Sequence, residues 1–145
     1  MIPVSIRRLD PSIPLPEYQT AGAAGFDLAA SGDLEIAPNT IALIPTGLVI
    51  GVPDGHFLGI FARSSTPLKR GLMVANGVGV IDPDYCGPAD EVKIQVLNFT
   101  GDVVRVRKGD RIAQGLFLPV VRADWRETDT DLREGSRGGF GATGG

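Results

Sequence analysis

Cysteine and histidine are nearly absent from this chain. A single cysteine, Cys86, excludes an intrachain disulfide, and a single histidine, His56, leaves no Cys/His cluster for a structural zinc site. Aromatic residues make up only 6% of the sequence, so aliphatic side chains must fill the core. No apolar run approaches the ~20 residues that span a bilayer. The opening residues 1–12 lack the apolar stretch of a secretory leader, so a cytoplasmic chain without membrane association is expected. An excess of positive charge is missing as well: 14 Lys and Arg stand against 17 Asp and Glu, a net charge of −3. That balance argues against nucleic acid as partner, because a phosphate backbone rewards a strongly basic face. It leaves room for a compact basic pocket binding one small polyanion. Finally, no window of a dozen residues carries an apolar stripe at helical spacing.

What the chain does have is punctuation. Twenty glycines and 11 prolines are spread through its 145 residues. Between them lie short apolar or alternating runs, the signature of an all-β fold. Strands are expected over Val4–Leu9, Phe26–Ala29, Leu34–Ile36, Thr40–Ile44, Leu48–Val52 and Phe57–Ala62. Further strands are expected over Met73–Val74, Gly77–Ile81, Val92–Phe99, Val103–Val106, Arg111–Leu118 and Ala123–Glu127. One short helical turn is expected over Thr66–Arg70, with Thr66 as cap and Pro67 at the first helical position. The strand count suggests a jelly-roll-like β-barrel formed by residues 1–127. Residues 128–145 are polar and then glycine-dominated, which predicts a flexible C-terminal arm.

Four segments carry residues suited to chemistry. Arg63-Ser64-Ser65, at the mouth of the helical turn, offers a charged fork and hydroxyls to phosphate. A surface arginine beside an ordinary helix cap would read the same way locally. Asn76 through Gly87 ends an apolar strand in a turn with two carboxylates, Asp82 and Asp84, and Tyr85. Such a junction can fix a general base, although aspartates also favour turns for their own sake. Gln114 is an amide among small or apolar neighbours after the Lys108-Gly109-Asp110 turn, where it needs partners of some kind. The glycine-rich end sets Arg137, Phe140 and Thr143 among residues whose backbone N–H groups can approach phosphate closely. His56 follows Asp54-Gly55 and reads as a surface turn residue.

Together and in this order the segments resemble the trimeric deoxyuridine triphosphatase family. Ala21 through Ala30 looks like the first family motif, Arg63-Ser64-Ser65 the second and Asn76 through Gly87 the third. Gly109 through Gln114 looks like the fourth, and Gly138 through Gly144 the fifth. The resemblance implies a β jelly roll assembled as a homotrimer, with active sites shared between subunits and closed by the arm. It implies hydrolysis of dUTP to dUMP and pyrophosphate, which lowers dUTP and supplies dUMP for thymidylate synthesis. Asp82 would activate the water that attacks the α-phosphorus. Tyr85 would pack on the deoxyribose, while Asn76, Val80, Ile81 and Lys93 would read the uracil. Arg63, Ser64, Ser65 and Gln114 would hold phosphates, and Asp27 would support them. Phe140 would stack on uracil, with Arg137 and Thr143 on the γ-phosphate. Mg2+ would be held by substrate phosphates and water, with no direct protein ligand.

Two features depart from the family pattern. Pro88-Ala89-Asp90 reads as an insertion after Gly87, which leaves the placement of Lys93 open. Arg137 stands immediately before the Gly138-Gly139-Phe140 run rather than further upstream, so Arg133 is a second candidate for the γ-phosphate. Glu91, near the start of the strand after the hairpin, keeps open a related deaminase of deoxycytidine triphosphate. A non-catalytic nucleotide-binding module is the reading from a different class.

Overall fold

The alternation of apolar side chains with polar ones, and the turns between them, produce a jelly-roll-like all-β fold. A computed structural model describes residues 1–139. Strands run β1 (Ser5–Arg8), β2 (Phe26–Ala29), β3 (Leu34–Ile36), β4 (Ile41–Pro45), β5 (Leu48–Gly51) and β6 (His56–Ala62). After helix α1 (Ser65–Arg70) come β7 (Leu72–Val74), β8 (Gly79–Ile81), β9 (Lys93–Asn98), β10 (Val104–Val106) and β11 (Arg111–Pro119). A sheet in the order β2-β11-β6-β8 faces a sheet in the order β4-β9-β7 across the core, and β1-β5 and β3-β10 form antiparallel ribbons.

The core is aliphatic, as the shortage of aromatics requires. Leu28, Ile36, Ile44, Leu58, Ile94, Val96 and Ile112 are fully buried. Burial of each such side chain contributes roughly 1.5–3 kcal/mol. β9 alternates strictly, with Ile94, Val96 and Asn98 inward. Its outward positions are Lys93, Gln95 and Leu97. Ile41, Leu97 and Met73 stand opposite one another across β4, β9 and β7, with Ile41 58% and Met73 45% exposed.

The expected strands over Phe26–Ala29 and Leu34–Ile36 are observed with the same bounds, and most others lie within a residue or two. Two expectations are corrected. Ala123–Glu127 forms no strand, and residues 120–139 contain neither strand nor helix. Val121 and Trp125 are 98% and 90% exposed, so the alternation there finds no neighbouring strand to pair with. The helical turn is capped by Ser64 and not by Thr66. Thr66 lies inside the helix, fully buried, and its hydroxyl donates to the carbonyl of Ile112 at 2.7 Å. That bond ties α1 to β11 and uses the hydroxyl a cap would need.

Candidate active site

The first half of the site gathers where β2, β6 and β11 meet. Gln114 on β11 lies between Asp27 on β2 and Phe61 on β6. Asp27, its side chain only 13% exposed, accepts from two arginines at once: Nε of Arg63 at 2.7 Å and Nη1 of Arg111 at 3.0 Å. Such charge-assisted pairs fix the direction of both guanidinium groups. Arg111 also donates to Oε1 of Gln19 at 3.1 Å, and Gln114 donates through Nε2 to the Ala62 carbonyl at 3.0 Å. A bulge in β11 between Arg111 and Ala113 shifts the register against β2. Bulges re-aim side chains in this way. The result is a pair of arginines and an amide beside Ser64, whose hydroxyl makes no capping bond to α1. This constellation suits phosphate oxygens.

The turn that leads into β11 is held by Asp110. Its Oδ2 accepts from Nη1 of Arg70 at 2.8 Å and from the backbone N–H of Arg107 at 2.9 Å. The Arg70 hydrogen bond, against the cost of partial burial, keeps the Asp110 carboxyl below its ordinary value of 3.8. A depressed carboxylate stabilises the fold above its unfolded pKa and loses that contribution as pH falls through the folded value. Asp110→Asn should therefore cost about 1 kcal/mol near neutral pH, discounted for partial exposure. The gap between wild type and variant should close on acidification below 3.8. Urea unfolding at several pH values checks this, and a gap that persists in acid would remove the ionised pair as its cause.

The second half of the site is the segment from Asn76 to Lys93. Asn76 lies in a tight turn in which the Val78 N–H donates to the Asn76 carbonyl at 2.8 Å. Gly77 takes φ +73° there, a left-handed conformation that other residues resist. β8 then runs beside β6, with Val80 exposed and Ile81 half-buried. Asp82 is exposed just beyond it, and its carbonyl accepts from the Tyr85 N–H at 3.2 Å. Tyr85 donates its hydroxyl to the Glu91 carbonyl at 3.2 Å. Lys93 opens β9, exposed, with Nζ 3.9 Å from the Glu91 carboxylate. A cavity of about 560 Å³ is lined by Asp82, Asp84, Asp54, His56 and Arg122. His56 thus opens β6 beside Asp82, half-buried, with Nδ1 3.1 Å from the Asp54 carbonyl. Another cavity, of about 630 Å³, is lined mainly by apolar side chains such as Val4, Ile6, Phe26 and Phe117, and His56 borders it as well.

The two halves stand apart within one chain. Ile81 pairs with Leu58, which puts Asp82 level with Phe57 near the start of β6. Arg63 follows the other end of β6. Six residues at ~3.3 Å each separate the two levels by about 20 Å along the strand. Arg133 and Arg137 are both exposed. Phe140 and Thr143 lie outside the described residues. Sequence reasoning had not singled out Arg111, Gln19 or Arg122. For Arg111 one signal was available, since a cation two residues after the glycine of a tight turn opens the strand that carries Gln114.

Comparison with known proteins places the sequence and the fold. The sequence matches the dUTPase family model over residues 11–144. It is 47% identical, over 99% of this chain and 95% of the relative, to a deoxyuridine 5'-triphosphate nucleotidohydrolase of Desulfitobacterium hafniense. Its fold superposes on a dUTPase from Streptococcus mutans with a TM-score of 0.77 at 37% identity, covering 84% of this chain and 98% of that one. A phage phi11 dUTPase variant described for coordination of a structural Mg(II) ion gives 0.78 over 89% and 98%, but at 19% identity that likeness speaks for the fold alone. Fold, motifs and relatives converge, and the chain belongs to the dUTPase family.

Proposed function

We propose that the chain hydrolyses dUTP to dUMP and pyrophosphate at a site completed by a second copy of itself. The observation that carries the reading is the division of labour across β6. One end presents Arg63, Arg111 and Gln114, and the other presents Asp82 and Tyr85. Neither half is sufficient for a nucleoside triphosphate, and a base must come within about 3 Å of the water it activates. A homotrimer that brings the ends of different copies together satisfies both. The apolar row of exposed Ile41, half-buried Leu97 and exposed Met73 favours such association.

In this reading Asp82 takes a proton from water as its oxygen attacks the α-phosphorus, and the α–β bridging oxygen leaves with pyrophosphate. Arg63, Ser64, Ser65 and Gln114 hold phosphate oxygens, and Asp27 keeps Arg63 aimed. Asn76, the backbone of Val80 and Ile81, and Lys93 read the uracil edge. Tyr85 packs on the deoxyribose and leaves no room for a 2′-hydroxyl. The body comprises residues 1–127, and residues 128–145 form an arm that brings Phe140 to the base and Arg137 and Thr143 to the γ-phosphate. Among the described residues no three His, Cys, Asp or Glu side chains gather as a metal cage, and both Asp27 oxygens are engaged by arginines. That donor set fits a Mg2+ that arrives on the triphosphate and keeps phosphate and water ligands. Bound Mg2+ supplies charge neutralisation along the phosphates. The reaction lowers dUTP, and its product dUMP serves thymidylate synthesis.

The test is pyrophosphate release from dUTP with Mg2+, with UTP and dTTP as controls. Rapid release from dUTP alone is expected, and no release at saturating dUTP and Mg2+ would favour a binding module. Ammonia release from dCTP tests the deaminase alternative. Glu91 argues against it, because its carboxylate is engaged by the Gly47 N–H at 2.7 Å.

A further inference from the structure

The turn from Gly87 to Glu91 has no part in the mechanism above, yet it is tied down more firmly than an exposed loop requires. Within it, the Gly87 N–H donates to Oδ2 of Asp90 at 2.6 Å and the Asp90 N–H returns to the Gly87 carbonyl at 3.2 Å. Two bonds anchor it from outside. Arg7 on β1 donates through Nη2 to the Pro88 carbonyl at 2.6 Å. The Gly47 N–H, between β4 and β5, donates to Oε1 of Glu91 at 2.7 Å. The Glu91 side chain is only 16% exposed, so this is a partly desolvated, charge-assisted bond. The same residue's carbonyl accepts the Tyr85 hydroxyl at 3.2 Å.

Tyr85 needs such an anchor. The residue is 39% exposed, so packing alone does not immobilise the ring. A ring that excludes one extra oxygen by sterics must be held to a fraction of an ångström. If it can recede, the discrimination is lost. We infer that Glu91 is a positioning residue: its carboxylate clamps the Pro88–Asp90 turn to the body, with Arg7 as a second strap, so that its carbonyl fixes Tyr85 and sets the preference for deoxyribose over ribose. The inference rests on the proposed packing of Tyr85 against the sugar.

The readout is the ratio of kcat/KM for dUTP to that for UTP. Glu91→Ala should lower it roughly tenfold or more, chiefly by raising kcat/KM for UTP, within the range by which pockets reject an added hydroxyl. Glu91→Gln keeps an oxygen acceptor for the Gly47 N–H and should hold the ratio near wild type. Tyr85→Phe keeps the ring but loses its anchor and should shift the ratio in the same direction as Glu91→Ala. The double variant should be no worse than the larger single effect, because both act through one bond. An unchanged ratio in Glu91→Ala overturns the inference whatever happens to stability. Should that variant not fold, an unchanged ratio in Tyr85→Phe overturns it equally. Tyr85→Ala separates the two levels. If it leaves the ratio intact, the sugar-packing role falls and the brace with it. If it lowers the ratio while Glu91→Ala and Tyr85→Phe do not, the brace alone falls.

Discussion

Asp82→Asn should lower kcat by about 10²–10⁴, the usual contribution of a general base, and leave KM for dUTP close to its wild-type value. Asparagine keeps the size of the side chain and can still hydrogen-bond water, but it cannot take the proton. The loss therefore appears in the transition state and not in substrate binding. Stability should hardly change, because Asp82 is exposed and makes no side-chain ion pair among the described residues. Asp84→Asn is the natural comparison, since that carboxylate is equally exposed on the same turn and borders the same cavity. Steady-state kinetics of both variants decide between them. A kcat for Asp82→Asn near wild type would take the base assignment away from Asp82, and a collapse confined to Asp84→Asn would transfer it.

The choice between these aspartates shows what a linear sequence can carry. Phe26–Ala29 and Leu34–Ile36 were readable because each is a short alternating run between turn residues, a local property. The phosphate-suited residues Arg63, Ser64, Ser65 and Gln114 were readable as types. That Arg63 shares Asp27 with Arg111 was not, because the bulge in β11 and the pairing of β11 with both β2 and β6 bring distant residues together. Thr66 misled for the same reason: its hydroxyl partner, Ile112, lies far along the chain. Ala123–Glu127 misled in the opposite direction. Its alternation is strand-like, but a strand exists only where another strand accepts its ladder. Glu91 looked like a candidate acid at the pyrimidine, and only the fold sets the Gly47 N–H against its carboxylate.

The separation of Asp82 from Arg63 leads to a result that no single-chain site can produce. Asp82→Asn and Arg63→Ala should each be nearly inactive when pure, the first for want of a base and the second for want of a phosphate anchor. Co-folded in equal amounts, they should recover activity. A site that takes Asp82 from an Arg63→Ala chain and Arg63 from an Asp82→Asn chain is wild type in both parts. In a ring built from heterologous contacts, random mixing makes about a quarter of the sites of this kind. The mixture should thus reach about a quarter of wild-type turnover, against parents reduced a hundredfold or more on the scale expected for a lost base. Mixing folded parents without exchange of subunits should give nothing, which separates assembly from contamination. A co-folded mixture no more active than its parents would sink the shared site. The base and the arginines would then have to meet within one chain, although the pairing of β8 with β6 holds them about 20 Å apart along the strand. Closing that distance would mean breaking the Leu58–Ile81 and Ile60–Gly79 pairs and drawing buried Gly79 out of the sheet. Recovery by mixing requires no such rupture, only a second copy seated against the first.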